Sequence, residues 1–139
     1  MHSIVVAVDG SAHSLKGVKE ASRLAKAMGA KLELAYVLPP ILLAESVYAE
    51  TIKKIDAGNR DAADQIFKAA RAQIEGGVDS SAVMLDGAPA EALADLAQAE
   101  RVWGVVIGAK GHSAVSRMLL GSVTDRLVHI CHKPVLVVR

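Results

Sequence analysis

The 139-residue chain has one cysteine, Cys131, so it cannot form an internal disulfide, and this usage fits a reducing cytoplasm. Aromatic residues make up only 3% of it, so the core must be built from small aliphatic side chains in close-packed layers. Neither charge sign prevails: 16 Lys and Arg face 15 Asp and Glu, for a net charge of +1. That balance argues against bulk nucleic-acid binding and against a membrane-surface protein. Long hydrophobic runs are missing too. The N-terminal apolar run starts at Ile4 and is over by Asp9, too short for a signal-peptide core or a membrane span. There is no low-complexity stretch and no run of like charge. The expectation is a soluble cytoplasmic protein with neither nucleic acid nor membrane as partner.

What is present is a chain that is 52% hydrophobic and of a length that suits one domain, residues 1–139. Four segments read as buried strands: Ser3–Asp9, Lys31–Val37, Trp103–Gly108 and Pro134–Arg139. The first, third and fourth are near-continuous β-branched runs, as in parallel sheets covered on both faces. A weaker fifth spans Ser80–Leu85. Helical stripes fill the gaps. Leu15, Val18, Ala21, Ala25 and Met28 form one, ended by Gly29. Ile66, Ala70 and Ile74 form another, ended by Gly76 and Gly77. Pro89 opens a third, with Leu93, Leu96 and Ala97 inward. A fourth starts at Ser122, with Val123, Leu127 and Ile130 inward, and stops before Pro134. This alternation predicts a parallel α/β sheet with right-handed crossovers. Pro39–Arg60 is the least regular stretch and reads as a loop with an extra helical turn or two, either a lid, a dimer contact or a plain insertion.

Ligands of open parallel sheets bind beyond the carboxyl ends of the strands, where the strand order reverses. Two strand ends carry suitable chemistry: Asp9-Gly10-Ser11 and Gly108-Ala109-Lys110-Gly111. Gly108 and Gly111 are expected to take positive φ and let the backbone approach a ligand, their N–H groups forming an anion nest. Gly121 is expected to do the same before the last helix. Ser122 is predicted to cap that helix, with Asp125 completing a capping box. The free amides of Ser122, Val123 and Thr124 then make a second anion site. Two N–H clusters joined by nine residues suit a chain of phosphates. Neither a P-loop, G-x-x-x-x-G-K-S/T, nor a dinucleotide fingerprint, G-x-G-x-x-G, is present.

Gly108, Gly111, Gly121 and Ser122 stand in the spacing G-x2-G-x9-G-S/T, which resembles the ATP-binding signature of the universal stress proteins. "IVVAVDGS", "GAPAEALADLAQ" and "KPVLVVR" resemble that family's opening strand and acidic turn, third helix and last strand, so the resemblance covers the whole chain. It implies a five-stranded parallel sheet of order 3-2-1-4-5 with helices on both faces, an adenine nucleotide alpha hydrolase-like fold. It also implies a member of the ATP-binding subgroup. Asp9 is then expected beside the ribose and phosphates, helping to hold Mg2+ or Mn2+. Val37 should meet the adenine through its backbone. Gly108 and Gly111 should contact ribose and phosphates, and Gly121, Ser122 and Val123 the outer phosphates. Two departures stand out: Trp103-Gly104 replaces an acidic residue followed by an apolar one, and His112 replaces a basic residue after the second glycine. Lys110 and Arg117 can compensate for the latter.

Plainer readings compete. Asp9 can cap the first helix with Ser11, and Lys110 can be a solvated loop lysine. His129 and His132 share a helix side, but their spacing with Cys131 fits no common zinc pattern. Cys131 reads as a small core residue, and Met118, Leu119 and Leu120 as packing. The leading function is an ATP-binding regulator that acts in the stress response through an unidentified protein partner. The rivals are a slow ATP hydrolase or phosphotransferase, for which His13 and His112 are the nearby candidates, and a binder of AMP or cyclic AMP. The apolar last strand is expected at a sheet edge, pairing two copies into a homodimer; the resemblance implies the same dimer.

Overall fold

The structure, a computed structural model, describes residues 2–38, 49–110 and 120–139. Within them strands and helices alternate as β1 (Ser3–Ala7), α1 (Ala12–Met28), β2 (Lys31–Leu38), α2 (Ala49–Arg71), β3 (Ser80–Asp86), α3 (Pro89–Ala97), β4 (Val102–Gly108), α4 (Ser122–Ile130) and β5 (Val135–Val138). The strands form one five-stranded sheet in the order β3-β2-β1-β4-β5, and every neighbouring pair is parallel. This is the expected architecture. The order reverses between β1 and β4, so their carboxyl ends flank the crevice.

The β-branched runs are continuous because both sheet faces are covered. Ile4, Val6 and Val8 face Val18, Ala21 and Ala25 of α1 and Ala63, Phe67 and Ala70 of α2. Val5, Val105 and Ile107 face the opposite way, against Leu93 and Ala97 of α3 and Leu127 of α4. Tyr36 and Phe67 meet edge to face with ring centroids 6.4 Å apart. β5 is an edge strand and only half covered, with Leu136 41% exposed.

Local signals set the helix ends. Ser11 caps α1, its Oγ accepting from the Ser14 N–H, and Gly29 closes α1 in the left-handed region at φ 65°. Pro89 occupies the first turn of α3, where no intrahelical donor is lost. Three stripe residues fall outside their helices' buried faces, Leu15 of α1 being only partly covered. Met28 is exposed at the end of α1, and Ile74 lies beyond α2 and packs on the core from the following turn. The expectation of a loop with a turn or two across 39–60 is corrected from Ala49 onward, where α2 has already begun and runs for 23 residues. Only Ala63, Phe67 and Ala70 of this helix are buried, so its N-terminal half is a largely solvated extension with no apolar stripe to mark it in the sequence. Residues 39–48 lie outside the described residues. No helix among the described residues is long and apolar enough to cross a membrane.

Close approaches at glycine position the crevice. A Cβ on Gly108 would lie 2.8 Å from the backbone C and O of His13, and one on Gly17 3.6 Å from the Gly108 N. The first turns of α1 therefore rest directly on the end of β4, which sets the Asp9 turn beside Gly108. At the opposite end of the sheet, Glu33 ties β1 and β2 to the turn before β4. Ser3 Oγ donates to its Oε1 at 2.6 Å, and Arg101 donates from Nε and Nη2 at 2.8 and 2.9 Å. The Arg101 guanidinium holds the Glu33 carboxyl below the usual carboxylate range; partial burial opposes this and the Ser3 hydroxyl assists it.

Candidate functional site

Each part of the crevice begins where a strand runs out of partners. The β1–β2 ladder ends at Ala7 and Ala35, followed by one bond from the Val8 N–H to the Ala35 carbonyl at 2.9 Å. Val37 lies two residues further along β2. Its backbone groups are directed the same way, past the end of β1. On the other side, β1 pairs with β4 only as far as Val6 and Val106, which leaves Ile107 and Gly108 projecting beyond it.

The chain after β1 folds back tightly. The Ser11 N–H donates to Asp9 Oδ1 at 2.8 Å, and the Asp9 N–H donates to Ser14 Oγ at 3.1 Å. Asp9 thus braces the turn while Ser11 caps the helix, close to the shared role that the plainer reading gave the two. Gly10 carries the positive φ, 82°, that the turn requires.

Gly108 and Gly121 do not carry it. Neither has a positive φ, and Gly121 sits at φ −59°, ψ 156°. The expectation of left-handed backbone at these two is corrected. Gly108 is needed because His13 leaves no room for a Cβ. The cap of α4 is corrected as well: Gly121, not Ser122, is the N-cap, and Ser122 is the first helical residue. No capping box forms, because a glycine cap has no side chain to offer. The consequence favours a ligand. Among the described residues the amides of Ser122, Val123 and Thr124 get no partner from the cap, and they stand at the positive end of the helix dipole.

These parts enclose one cavity of about 240 Å³. Ala35, Val37, Pro89, Leu93 and Ile107, from β2, α3 and β4, contribute apolar lining, and Asp9, Ser11, Ser14, Lys110, Ser122 and Thr124, from the residues after β1 and β4 and the first turns of α1 and α4, contribute polar lining. Of the site residues named from sequence, Asp9, Val37, Gly108, Gly121, Ser122 and Val123 all line it. Gly111 lies outside the described residues, as do His112, Arg117, Met118 and Leu119. Sequence reasoning missed Ser14, Tyr36, Pro89 and Leu93 as lining residues; helical periodicity marked Pro89 and Leu93 only as helix start and core. It also missed the Thr124 side chain, whose hydroxyl donates to the Gly108 carbonyl at 2.7 Å.

His129 and His132 are not on one helix side, since α4 ends at Ile130 and His132 follows it. The described residues contain no group of three or more His, Cys, Asp or Glu able to hold a metal. Cys131 is partly buried against the α3–α4 face of the core.

The universal stress protein family model matches residues 1–139. The chain belongs to the universal stress protein family. A universal stress protein of Methanocaldococcus jannaschii is 33% identical over 140 residues, covering 98% of this chain and 81% of that one. A universal stress protein solved in complex with cAMP is 29% identical, with a TM-score of 0.70 over 99% of this chain and 96% of that one. The universal stress protein UspA from Lactobacillus plantarum shares the fold at a TM-score of 0.80 and 23% identity, over 99% and 97% of the two chains. In this universal stress protein Gly108 ends β4 and Gly121 caps α4, and both line the one cavity.

Proposed function

We propose that this universal stress protein binds an adenine nucleotide in the crevice, prefers ATP with a divalent cation, and reports nucleotide state to a protein partner in a cytoplasmic stress response. The observation that carries the reading is a cavity lined both by apolar side chains and by the start of α4; its apolar lining is assigned to the purine end and its polar lining to the phosphate end. The apolar end suits a purine, and the projecting backbone of Val37 suits its polar edge. Gly108 also lines the cavity and is assigned to the ribose. The N-terminus of α4, with Gly121, Ser122 and Val123, suits the outer phosphates, and Gly111 belongs to the same proposed cradle. The cAMP complex of a relative at 29% identity supports the purine end. AMP and cAMP fit that end equally, but neither reaches as many donors at α4 as a triphosphate.

The donor set also fits a cation that arrives with its nucleotide. Mg2+ is commonly held by one or two carboxylates together with substrate phosphates, and Mn2+ accepts the same oxygen donors. Asp9 supplies the carboxylate at the polar end. Among the described lining residues the ionisable side chains are Asp9, Tyr36 and Lys110. Asp9 is already engaged in bracing its turn. Binding, rather than fast phosphoryl transfer with a dedicated group orienting the attacking oxygen, is the proposed role. The test is calorimetric titration of nucleotide-stripped protein with ATP, AMP and cAMP in the presence of Mg2+. ATP is expected to bind tightest, and a folded protein that binds none of them overturns the reading.

The same proposal includes a homodimer through β5. That strand is the sheet edge, and Leu136 on β5 and Val128 on α4 are 41% and 44% exposed. An apolar edge of this kind pairs readily with a second copy. Light scattering at micromolar concentration is expected to give twice the chain mass, and Leu136→Arg to halve it. A monomeric wild type contradicts the dimer.

A further inference from the structure

The Gly108 carbonyl has no strand to pair with. The Ala109 N–H turns to the Val138 carbonyl on β5 at 2.7 Å. Across a trans peptide the Gly108 carbonyl must then point the other way, toward β1, whose ladder with β4 ended at Val6. A buried carbonyl in that position needs a donor. Thr124, 3% exposed in the first turn of α4, supplies its hydroxyl at 2.7 Å across sixteen residues of sequence. A second bond runs alongside, from the Gly121 N–H to the Ala109 carbonyl at 2.7 Å. Together they pin the start of α4 to the end of β4, and so fix the distance between the two segments that frame the polar end of the cavity.

We propose that Thr124 is a positioning residue that sets this distance and thereby the preference of the site for a triphosphate over shorter phosphate chains. The proposal rests on the adenine-nucleotide reading above. The apolar lining comes mainly from Ala35 and Val37 of β2, Ile107 of β4 and Pro89 and Leu93 of α3, and α4 supports it through the packing of Leu127 rather than through its N-terminal amides. The outer phosphates depend on the α4 amides, whose hydrogen bonds weaken steeply once distance or angle is lost. Loosening the latch therefore penalises a ligand in proportion to how far its phosphates extend.

The test compares wild type with Thr124→Val, which keeps the side-chain shape and removes the donor, and Thr124→Ser, which keeps the donor. Affinities for ATP, AMP and adenosine are measured for each, alongside a thermal melt. Thr124→Val is expected to lose about ten-fold in ATP affinity, the worth of one good hydrogen bond, and less than about two-fold for adenosine. Thr124→Ser is expected to retain the wild-type ATP to AMP ratio. A folded Thr124→Val with an unchanged ratio overturns the proposal, as does equal weakening of all three ligands, which is what a merely structural role produces. Should Thr124→Val fail to fold, Thr124→Ala is read by the same criteria. A Thr124→Ser protein that loses the ratio also overturns the latch. A wild type that binds none of the three overturns the nucleotide reading, and the latch with it.

Discussion

Gly108 is constrained by its neighbour rather than by its own dihedral angles. Any residue could adopt its backbone conformation, yet a Cβ would lie 2.8 Å from the His13 carbonyl carbon and oxygen. Those are backbone atoms at the start of a helix and cannot swing aside. Gly108→Ala must therefore lift α1 off β4 or bend the strand end. Overpacking of this kind costs about 1–3 kcal/mol. A urea melt is expected to show that loss, and an unchanged midpoint would contradict the claim that packing against α1 constrains Gly108. Gly121 differs: its backbone, at φ −59°, is one that any residue adopts, so a larger residue there is expected to leave the fold intact while crowding the cavity it lines. The glycine spacing was legible in the sequence, but the reason for each glycine was not. Spacing reports that backbone comes close to something, and only the packing shows whether that is a helix or a ligand. The Thr124 latch was hidden for a similar reason, because its acceptor lies sixteen residues away in sequence and is a backbone carbonyl.

At the scale of elements, the end of the sheet away from the crevice is held by the Ser3–Glu33–Arg101 cluster. Arg101 lowers the Glu33 pKa in the folded protein relative to the unfolded chain. The stabilisation is therefore fully present above the unfolded value and disappears as pH falls through the folded one. Glu33→Gln is expected to melt a few degrees below wild type at neutral pH. The gap should close as the pH is lowered through and below the carboxylate range, because the wild type then loses what the variant never had. A gap that is independent of pH would assign the effect to packing. The strands and three of the helices were legible from period and punctuation: the β-branched runs became β1 and β4, and Gly29 and Pro89 marked their helix ends. The start of α2 was not, because Pro39 and Pro40 and the exposed Ile52 resemble loop composition, while the burial that organises this helix begins at Ala63. The cap of α4 was misread by one residue, since serine is the better cap by propensity and the bond from the Asp125 N–H to the Gly121 carbonyl decides otherwise.

At the scale of the whole molecule, the sheet order turns two distant stretches of sequence into the walls of one cavity. The Asp9 turn follows β1 and the Gly108 loop follows β4; they meet because β1 and β4 are neighbours at the reversal. The family and the position of the crevice were legible in the sequence, since both depend on strand order and a fixed spacing. The lining of the apolar end by Pro89 and Leu93 could not, since it depends on how α3 lies across the sheet. The most direct measurement is calorimetric titration of the nucleotide-stripped protein with magnesium ATP, with Gly121→Leu alongside as a folded control. Saturable binding at one site per chain, lost in Gly121→Leu, is the predicted result. A folded wild type with no saturable binding, or a Gly121→Leu variant that binds as tightly as wild type, would contradict it.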